Sequence, residues 1–469
     1  MRRLSPSRLA HRLAAASVAA LALAACADPS GPAPDGAPVL AKGGGSSGGG
    51  TTTGVSVTAA SPAYGRQGAT SYPVTITGSG FDAASTVTWE RGGVADSRIV
   101  VRSRTVVSST RIDATIDIAA DAELSFYDVA VLSGKGSKGV GTEKFEVTTA
   151  ISIGTLGTGN TSAQAANDLA DGWSIAGWGY TSAGQRAFVW RPGQMVDLGA
   201  GISEGIDDAG VTVVGSGDRA GFVAAWNGSA WTRTALPIGP SGVSSRAWAV
   251  ASGPDGVANL IGGEEGIVAK SYKNGLSQPR LWRRIGSAWV IAPLALPPTG
   301  TSGAVRTVNA RGQAAGNAVT SGGDRSVFWD STGVMHLLPG TGTIALEMNG
   351  DGTLIVGVAV DAAAYWSASV ASGGVRTWSG PHLLPGNCAR AIGVDDHGNI
   401  AGSRCDQGSS RVAPAVWSPP YTTARYLSGL GGVEGGAAWG MSRQGTRVVG
   451  GAALDRVTVG VMWENLFTP

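Results

Sequence analysis

Between residues 55 and 148, apolar and polar positions alternate in short runs separated by turn-formers. The runs are Val55-Ser56-Val57, Val74-Thr75-Ile76, Val87-Thr88-Trp89, Ile99-Val100-Val101, Ile112 onward to Ile118, Tyr127-Asp128-Val129 and Phe145-Glu146-Val147. Period-two alternation of this length marks half-buried strands, and seven in under a hundred residues predict an antiparallel β-sandwich. From Ile151 to the end the pattern changes to a repeat. A short Asp/Asn/Gly turn precedes an apolar run that ends in glycine. The copies are Asn167 with Ile175-Ala176-Gly177, Asp207-Asp208 with Val213-Val214-Gly215, and Asp255-Gly256 with Leu260-Ile261-Gly262. Asn309 with Ala314-Ala315-Gly316, Asn349 with Ile355-Val356-Gly357, Asp395-Asp396 with Ile400-Ala401-Gly402, and Met441 to Gly445 with Val448-Val449-Gly450 follow.

Each copy is followed by a segment ending in tryptophan, at Trp190, Trp226, Trp282, Trp329, Trp366, Trp417 and Trp463. A third segment ends in leucine and a turn-former: Leu198-Gly199, Leu236-Pro237, Leu296-Pro297, Leu338-Pro339, Leu384-Pro385 and Leu427-Ser428. A hairpin, a Trp strand and a Leu strand make four short strands per unit, at a period of about 45 residues. That period suits a β-propeller blade, whereas a β-solenoid coil is shorter. Seven Trp strands but only six Leu strands are present. Leu156-Gly157, ahead of the first turn, supplies the missing copy. Strand 151–157 is therefore expected to close the last blade and stitch the ring's ends together.

The first 26 residues differ again: Arg2, Arg3, Arg8 and Arg12, then an apolar run over 13–25, then Cys26. Thirteen apolar residues are too few to span a bilayer, so the segment reads as an export signal. Residues 27–54 collapse to Gly, Ser, Pro, Ala and Thr around the run 43–50, a flexible linker that cannot build a core.

Composition supports this division. The 74 glycines and 22 prolines among 469 residues argue against long helices, and 43% hydrophobic content argues against a disordered polyelectrolyte. The formal charge of +2 reverses when the four signal arginines are set aside, which leaves 31 basic residues against 33 acidic ones. No electrostatic case for nucleic acid remains.

Three stretches resemble known families. Leu23-Ala24-Ala25-Cys26 resembles the bacterial lipobox, which implies acylation of Cys26 and a membrane partnership through an N-terminal lipid anchor. Ala27 rather than Asp after the cysteine implies the outer membrane or cell surface. Ser61-Pro62, the stretch Val74 to Phe81 with Gly78 and Gly80, Val87-Thr88-Trp89 and Tyr127-Asp128-Val129 resemble the IPT/TIG immunoglobulin-like family. That family supplies spacer or binding modules without catalytic residues. Arg186-Ala187-Phe188-Val189-Trp190 with Asp197-Leu198-Gly199 resembles the HAF family of extracellular repeats, although its histidine is absent from all seven copies.

Candidate chemistry is sparse. His336, His382 and His397 share no metal-ligand spacing, and His397 beside Asp395 and Asp396 reads as a solvated turn. Gly201-Ile202-Ser203-Glu204-Gly205 matches a nucleophile-elbow string without the strand-to-helix context that gives it meaning. Glu264-Glu265, a formal acid/base pair, reads as a solvated loop, since neighbours on a strand would point to opposite faces. Gly134 to Gly139 fits a dinucleotide fingerprint but joins two strands, and so reads as a hairpin. The Asp/Asn/Gly turns lack the alternating oxygens of a calcium loop. Trp173, Trp178, Trp231, Trp248, Trp289, Trp378 and Trp439 lie outside the regular slots, where blade packing competes with stacking on a ligand. Cys388 and Cys405 flank the turn at 395–398 almost symmetrically and are expected to pair across a hairpin.

The sequence thus predicts an all-β chain: signal and lipobox over 1–26, linker over 27–54, IPT/TIG-like sandwich over 55–148, and a seven-bladed propeller over 151–469. No catalytic residue, metal or cofactor is assigned. The expected role is a non-catalytic binding or adhesion scaffold for a glycan or protein ligand. A propeller polysaccharide hydrolase or lyase, marked by carboxylates converging on the channel, and a structural part of an envelope complex are the alternatives.

Overall fold

The computed structural model describes residues 54–169, 173–267, 276–372, 374–405, 412–430, 435–454, 457–464 and 466–467. The lipobox with Cys26, and all of the linker but residue 54, lie outside them. No helix occurs among the described residues, whose strands form nine sheets.

Two sheets come from residues before 150. One orders Ser56–Ser61, Tyr72–Ser79, Arg111–Ile118 and Ile99–Ser108; the other orders Tyr64–Arg66, Lys138–Thr148, Phe126–Leu132, Thr86–Arg91 and Val94–Ala95. Period two explains their packing. Ile112, Ala114, Ile116 and Ile118 alternate inward along one strand and meet Trp89, Tyr127, Val129 and Phe145 of the facing sheet in one core. The Trp89 and Phe145 rings meet edge to face with centroids 5.7 Å apart. All seven alternating runs fall on strands, apart from Val55, which lies one residue ahead of the strand Ser56–Ser61. The two additional strands, of three and two residues, are too short to alternate visibly. Residues 134–139 form the expected turn and the start of the strand after it.

The other seven sheets have four strands each. Their first strands are Thr161–Ala166, Ile202–Ile206, Ser244–Ser252, Gly300–Val308, Thr343–Met348, Asn387–Val394 and Gly436–Met441, and we number the sheets one to seven in that order. Each sheet packs on the next and the seventh packs on the first, giving a propeller-like ring. In six sheets the strands follow chain order. In the seventh, Ile151–Gly154 joins the outer edge, with Ile151 opposite Met462 and Ser152 opposite Val461. The sheet therefore ties the first described strand of the ring to the last, leaving no open first-to-last seam. The strand stops at Gly154, short of 157.

Two recurring contacts explain the repeat. The buried turn residue accepts backbone hydrogen bonds that close its own hairpin: Asn309 Oδ1 from Arg311 and Gln313, Asn349 Oδ1 from Thr353 and Leu354, Asp395 Oδ1 from His397 and Asn399. Several of these side chains also reach the neighbouring blade, as when Asn309 Nδ2 donates to Gly350 O at 3.2 Å. These bonds close each turn from within. The second contact is a tryptophan latch. The indole N–H donates to a carbonyl at the end of the preceding blade, from Trp282 to Pro237, Trp366 to Pro339, Trp417 to Pro385 and Trp463 to Ser428.

Three copies depart from the sequence expectation. Trp329 donates to Ala295, and the buried leucine is Leu294, so the Leu element of blade three lies two residues before Leu296-Pro297. Trp190 and Trp226 are only partly buried, and Phe188 and Phe222 fill their blades' cores instead. In blade two Arg233 replaces the indole. Its guanidinium lies 3.8 Å from the Phe222 ring centroid and donates to Leu198 O at 2.8 Å and Ala200 O at 2.9 Å. Cys388 and Cys405 are joined, with Cα atoms 5.7 Å apart. The register pairs Asn387 with Cys405, so the bridge is displaced by one residue from a directly opposed pair.

Candidate functional site: a ring of bulged residues at the axis

All seven first strands carry a β-bulge at the same level. The residue skipped by the register is Gln164, Glu204, Trp248, Arg306, Leu346, Ile392 and Trp439, in blade order. A bulge inserts one unpaired residue and re-aims its side chain. Each of the seven is partly exposed, whereas the residue before it is buried. Their side chains face a common axis. Arg306 stacks over Trp248 at 4.2 Å, and its charge acts on Glu204 from two blades away. The residue after the bulge is small where neighbouring strands crowd together. A Cβ on Gly205 would come within 2.9 Å of Trp248 O, and one on Gly393 within 2.9 Å of Met441 N.

The ring is chemically divided. Gln164, Glu204 and Arg306 make one side polar around Trp248, and Leu346, Ile392 and Trp439 face it from blades five to seven. Those three apolar side chains belong to none of the hydrophobic clusters that fill the sheets. Burial pushes the Glu204 carboxyl up to about 7, against the opposing pull of Arg246 and Arg306. Among the described residues Glu204 makes no side-chain hydrogen bond and has no cation within ion-pair distance. The Arg306 guanidinium likewise has no carboxylate within that distance; its Nε reaches Asn317 Oδ1 at 3.4 Å. Burial lowers its pKa, opposed by Glu264 and Glu204, but a guanidinium remains charged.

A second charged layer lies where the first hairpins turn. Arg443 Nε of blade seven meets Asp208 of blade two at 3.2 Å, and a Cβ on Gly350 of blade five would collide with the same guanidinium. Arg443 thus reaches across the axis. Burial would lower its pKa, but Asp208 and Asp396 hold it above the ordinary value. The remaining carboxylates of this layer are engaged. Asp396 accepts from Gly350 N at 2.6 Å and Gln444 Nε2 at 3.3 Å, and Asp168 accepts from Gln444 N and Thr446 Oγ1, each at 2.7 Å. Glu347 accepts from Thr307 Oγ1 and from its neighbour's N–H on Met348. Burial raises its pKa despite these bonds.

The residues singled out by sequence separate cleanly. Ser203 is buried in a strand of blade two, so the elbow string is not an elbow, and only its Glu204 faces the axis. Glu264 and Glu265 lie in the strand Ala258–Gly266, not in a loop. Glu265 is 1% exposed and bonded to Arg280 at 2.8 Å. His397 is exposed in its turn; His336 lies 3.3 Å from Asp330 and His382 bonds Ser379. Of the irregular tryptophans, Trp248 and Trp439 reach the axial ring. Trp173 packs on Trp190, Trp231 on Trp226 and Trp378 on Phe328. No group of three or more His, Cys, Asp or Glu suited to a metal occurs among the described residues. Sequence reasoning missed the ring itself, yet a signal exists: in six blades the bulged residue stands three positions before the buried turn residue.

No protein-family profile matches the chain, and no curated protein sequence matches it. Several solved structures are similar at low identity. A protein from Lactobacillus plantarum is 12% identical, with TM-score 0.36, covering 64% of this chain and 90% of that one. A quinonprotein alcohol dehydrogenase-like protein from Bacteroides thetaiotaomicron is 11% identical, with TM-score 0.34, covering 78% and 94%. Apo AztD from Citrobacter koseri is 12% identical, with TM-score 0.27, covering 71% and 88%. At these scores the likenesses carry no argument; the all-β, propeller-like architecture rests on the sheets themselves.

Proposed function

We propose that this chain is an exported, lipid-anchored binding protein whose propeller seats its ligand at the axial ring. One observation carries the reading: seven bulges at one level aim seven side chains at the axis. Three of those side chains are large apolar groups, half-buried and outside every hydrophobic cluster. In this reading Cys26 holds the protein at the outer membrane or cell surface. The linker over 27–54 gives it reach, and the sandwich serves as an IPT/TIG-like spacer for a HAF-type repeat ring. The sandwich is fastened to the ring, which suits a spacer: Thr148 Oγ1 donates to Gly429 O and Gly429 N to Glu146 Oε1, each at 2.8 Å.

The role is binding without turnover. Several carboxylates do approach the axis, but Asp168, Asp208, Glu347 and Asp396 are held by hydrogen bonds or by Arg443, and of the two that act on Arg306, Glu264 and Glu204, only Glu204 stands on the bulged ring. Acid–base hydrolysis of a glycoside ordinarily needs two carboxyl groups flanking the scissile bond. A second reading, a polysaccharide hydrolase or lyase, is favoured by one feature, a Glu204 proton held to near neutrality as a general acid requires. The purified mature protein should retain a ligand from a glycan, peptide and metabolite panel and release no product from the same polysaccharides. Product formation lost on Glu204→Gln would replace the binding reading with the catalytic one. Membrane-phase partitioning that persists in Cys26→Ser would remove the lipid anchor.

A further inference from the structure

Resting on the axial ring as the ligand seat, we infer that the seat takes a zwitterion with an apolar side chain, namely a free apolar α-amino acid. Glu204 and Arg306 present opposite charges to the axis from either side of Trp248, and neither has an ion-pair partner within bonding distance among the described residues. Side chains that long, on blades two apart, could have been positioned to pair with each other. They are instead held apart, with Arg306 laid over the intervening indole at 4.2 Å. A ligand carrying an ammonium and a carboxylate on one carbon satisfies both: the ammonium donates to the Glu204 carboxylate, and the carboxylate accepts from Arg306. Charge-assisted bonds of this kind gain strength where water is displaced.

The third substituent of that carbon then has one direction to go. Across the axis from Trp248 stand Ile392 and Trp439, with Leu346 beside them, and Gln164 closes the gap next to Glu204. An apolar side chain placed there covers surface that no core cluster covers. Glycine leaves that surface uncovered, and a neutral sugar gives neither Glu204 nor Arg306 an ion-pair partner.

Calorimetric titration of the mature protein at pH 8 with L-phenylalanine, phenethylamine, 3-phenylpropionate, glycine and cellobiose tests this. Phenylalanine should bind, and each analogue lacking one charge should bind at least about tenfold more weakly, because it leaves a buried group unpaired. Glu204→Gln should abolish the preference for phenylalanine over phenylpropionate. Arg306→Gln should abolish the preference over phenethylamine, and Arg306→Lys should restore part of it. The wild-type affinity should fall as pH drops below about 7 and cease to do so in Glu204→Gln. The charged groups acting on that carboxylate are Arg246 and Arg306, with Glu264 acting on Arg306. Equal binding of phenylalanine and phenylpropionate, or no binding of phenylalanine, overturns the zwitterion. Cellobiose binding lost in Trp439→Ala would overturn it while keeping the seat. Phenylalanine binding untouched by Glu204→Gln, Arg306→Gln and Ile392→Asp in folded variants would overturn the seat as well.

Discussion

Glu204 offers a direct test of the electrostatics at the axis in the ligand-free protein. Replacing it with glutamine keeps the shape and removes the ionisation. The folded-state value of about 7 stands above the ordinary 4.5 because burial disfavours the charged form. Below pH 4.5 the carboxyl is protonated whether the chain is folded or not, and the wild type carries no penalty. Between 4.5 and 7 the unfolded chain releases the proton while the folded chain keeps it, so stability drains away as pH rises. Above 7 the full cost is present. At about 1.36 kcal/mol per pH unit the gap corresponds to about 3 kcal/mol, an upper bound because the side chain is only partly buried. Glutamine never pays that penalty. Thermal melts of both proteins, followed by tryptophan fluorescence from pH 4.5 to 8.5, should coincide at the acid end. At pH 8 the variant should melt several degrees higher, given about 2–4 °C per kcal/mol for chains somewhat smaller than this ring. Other buried acids, including Asp207 and Asp395, whose values burial also raises, are common to both proteins and cancel. A difference in melting temperature that does not change with pH, or a less stable variant at pH 8, would refute this account of the channel.

Three further outcomes follow from the packing. Deleting residues 151–157 strips the outer strand from blade seven and uncovers Ile153, which is 5% exposed. It should cost about 4 kcal/mol, while shortening 43–50 leaves the melting temperature unchanged; equal melts for the two deletions would rule out closure by that strand. Trp366→Phe keeps a buried ring but orphans the Pro339 carbonyl, for a loss of about 1–3 kcal/mol. The same change at half-buried Trp190 should cost clearly less, and equal denaturation midpoints would contradict the latch. Reducing Cys388–Cys405, separated by 17 residues, should cost about 3 kcal/mol. Both thiols should resist alkylation in unreduced, denatured protein, which mass spectrometry reads directly.

What the sequence determined by itself was whatever each blade must solve locally. The buried turn oxygens at Asn309 or Asp395 close their own hairpins, and the indoles of Trp366 or Trp417 fill a blade's core, so both recur with a readable period. The count of Leu strands pointed to the borrowed strand at Ile151–Gly154 for the same reason: four strands are needed in every sheet. The cysteine pair was legible because it flanks a local turn. The sandwich showed wherever a strand was long enough to alternate. Tertiary structure decided the rest. Arg233 could stand in for a tryptophan because any donor able to lie on Phe222 and reach Leu198 O completes that blade. Leu294 rather than Leu296 supplies the buried leucine because the reach of Trp329 selects the carbonyl. The axial ring left the faintest trace. Gln164, Glu204, Trp248, Arg306, Leu346, Ile392 and Trp439 share no chemistry, because their side chains meet the axis instead of a packed core. What they share is a backbone position, set by how closely seven inner strands can approach one another. Crowding at the axis forces the bulge and leaves the side chain unconstrained, so the site's place was written in the spacing while its character emerged only when seven blades closed.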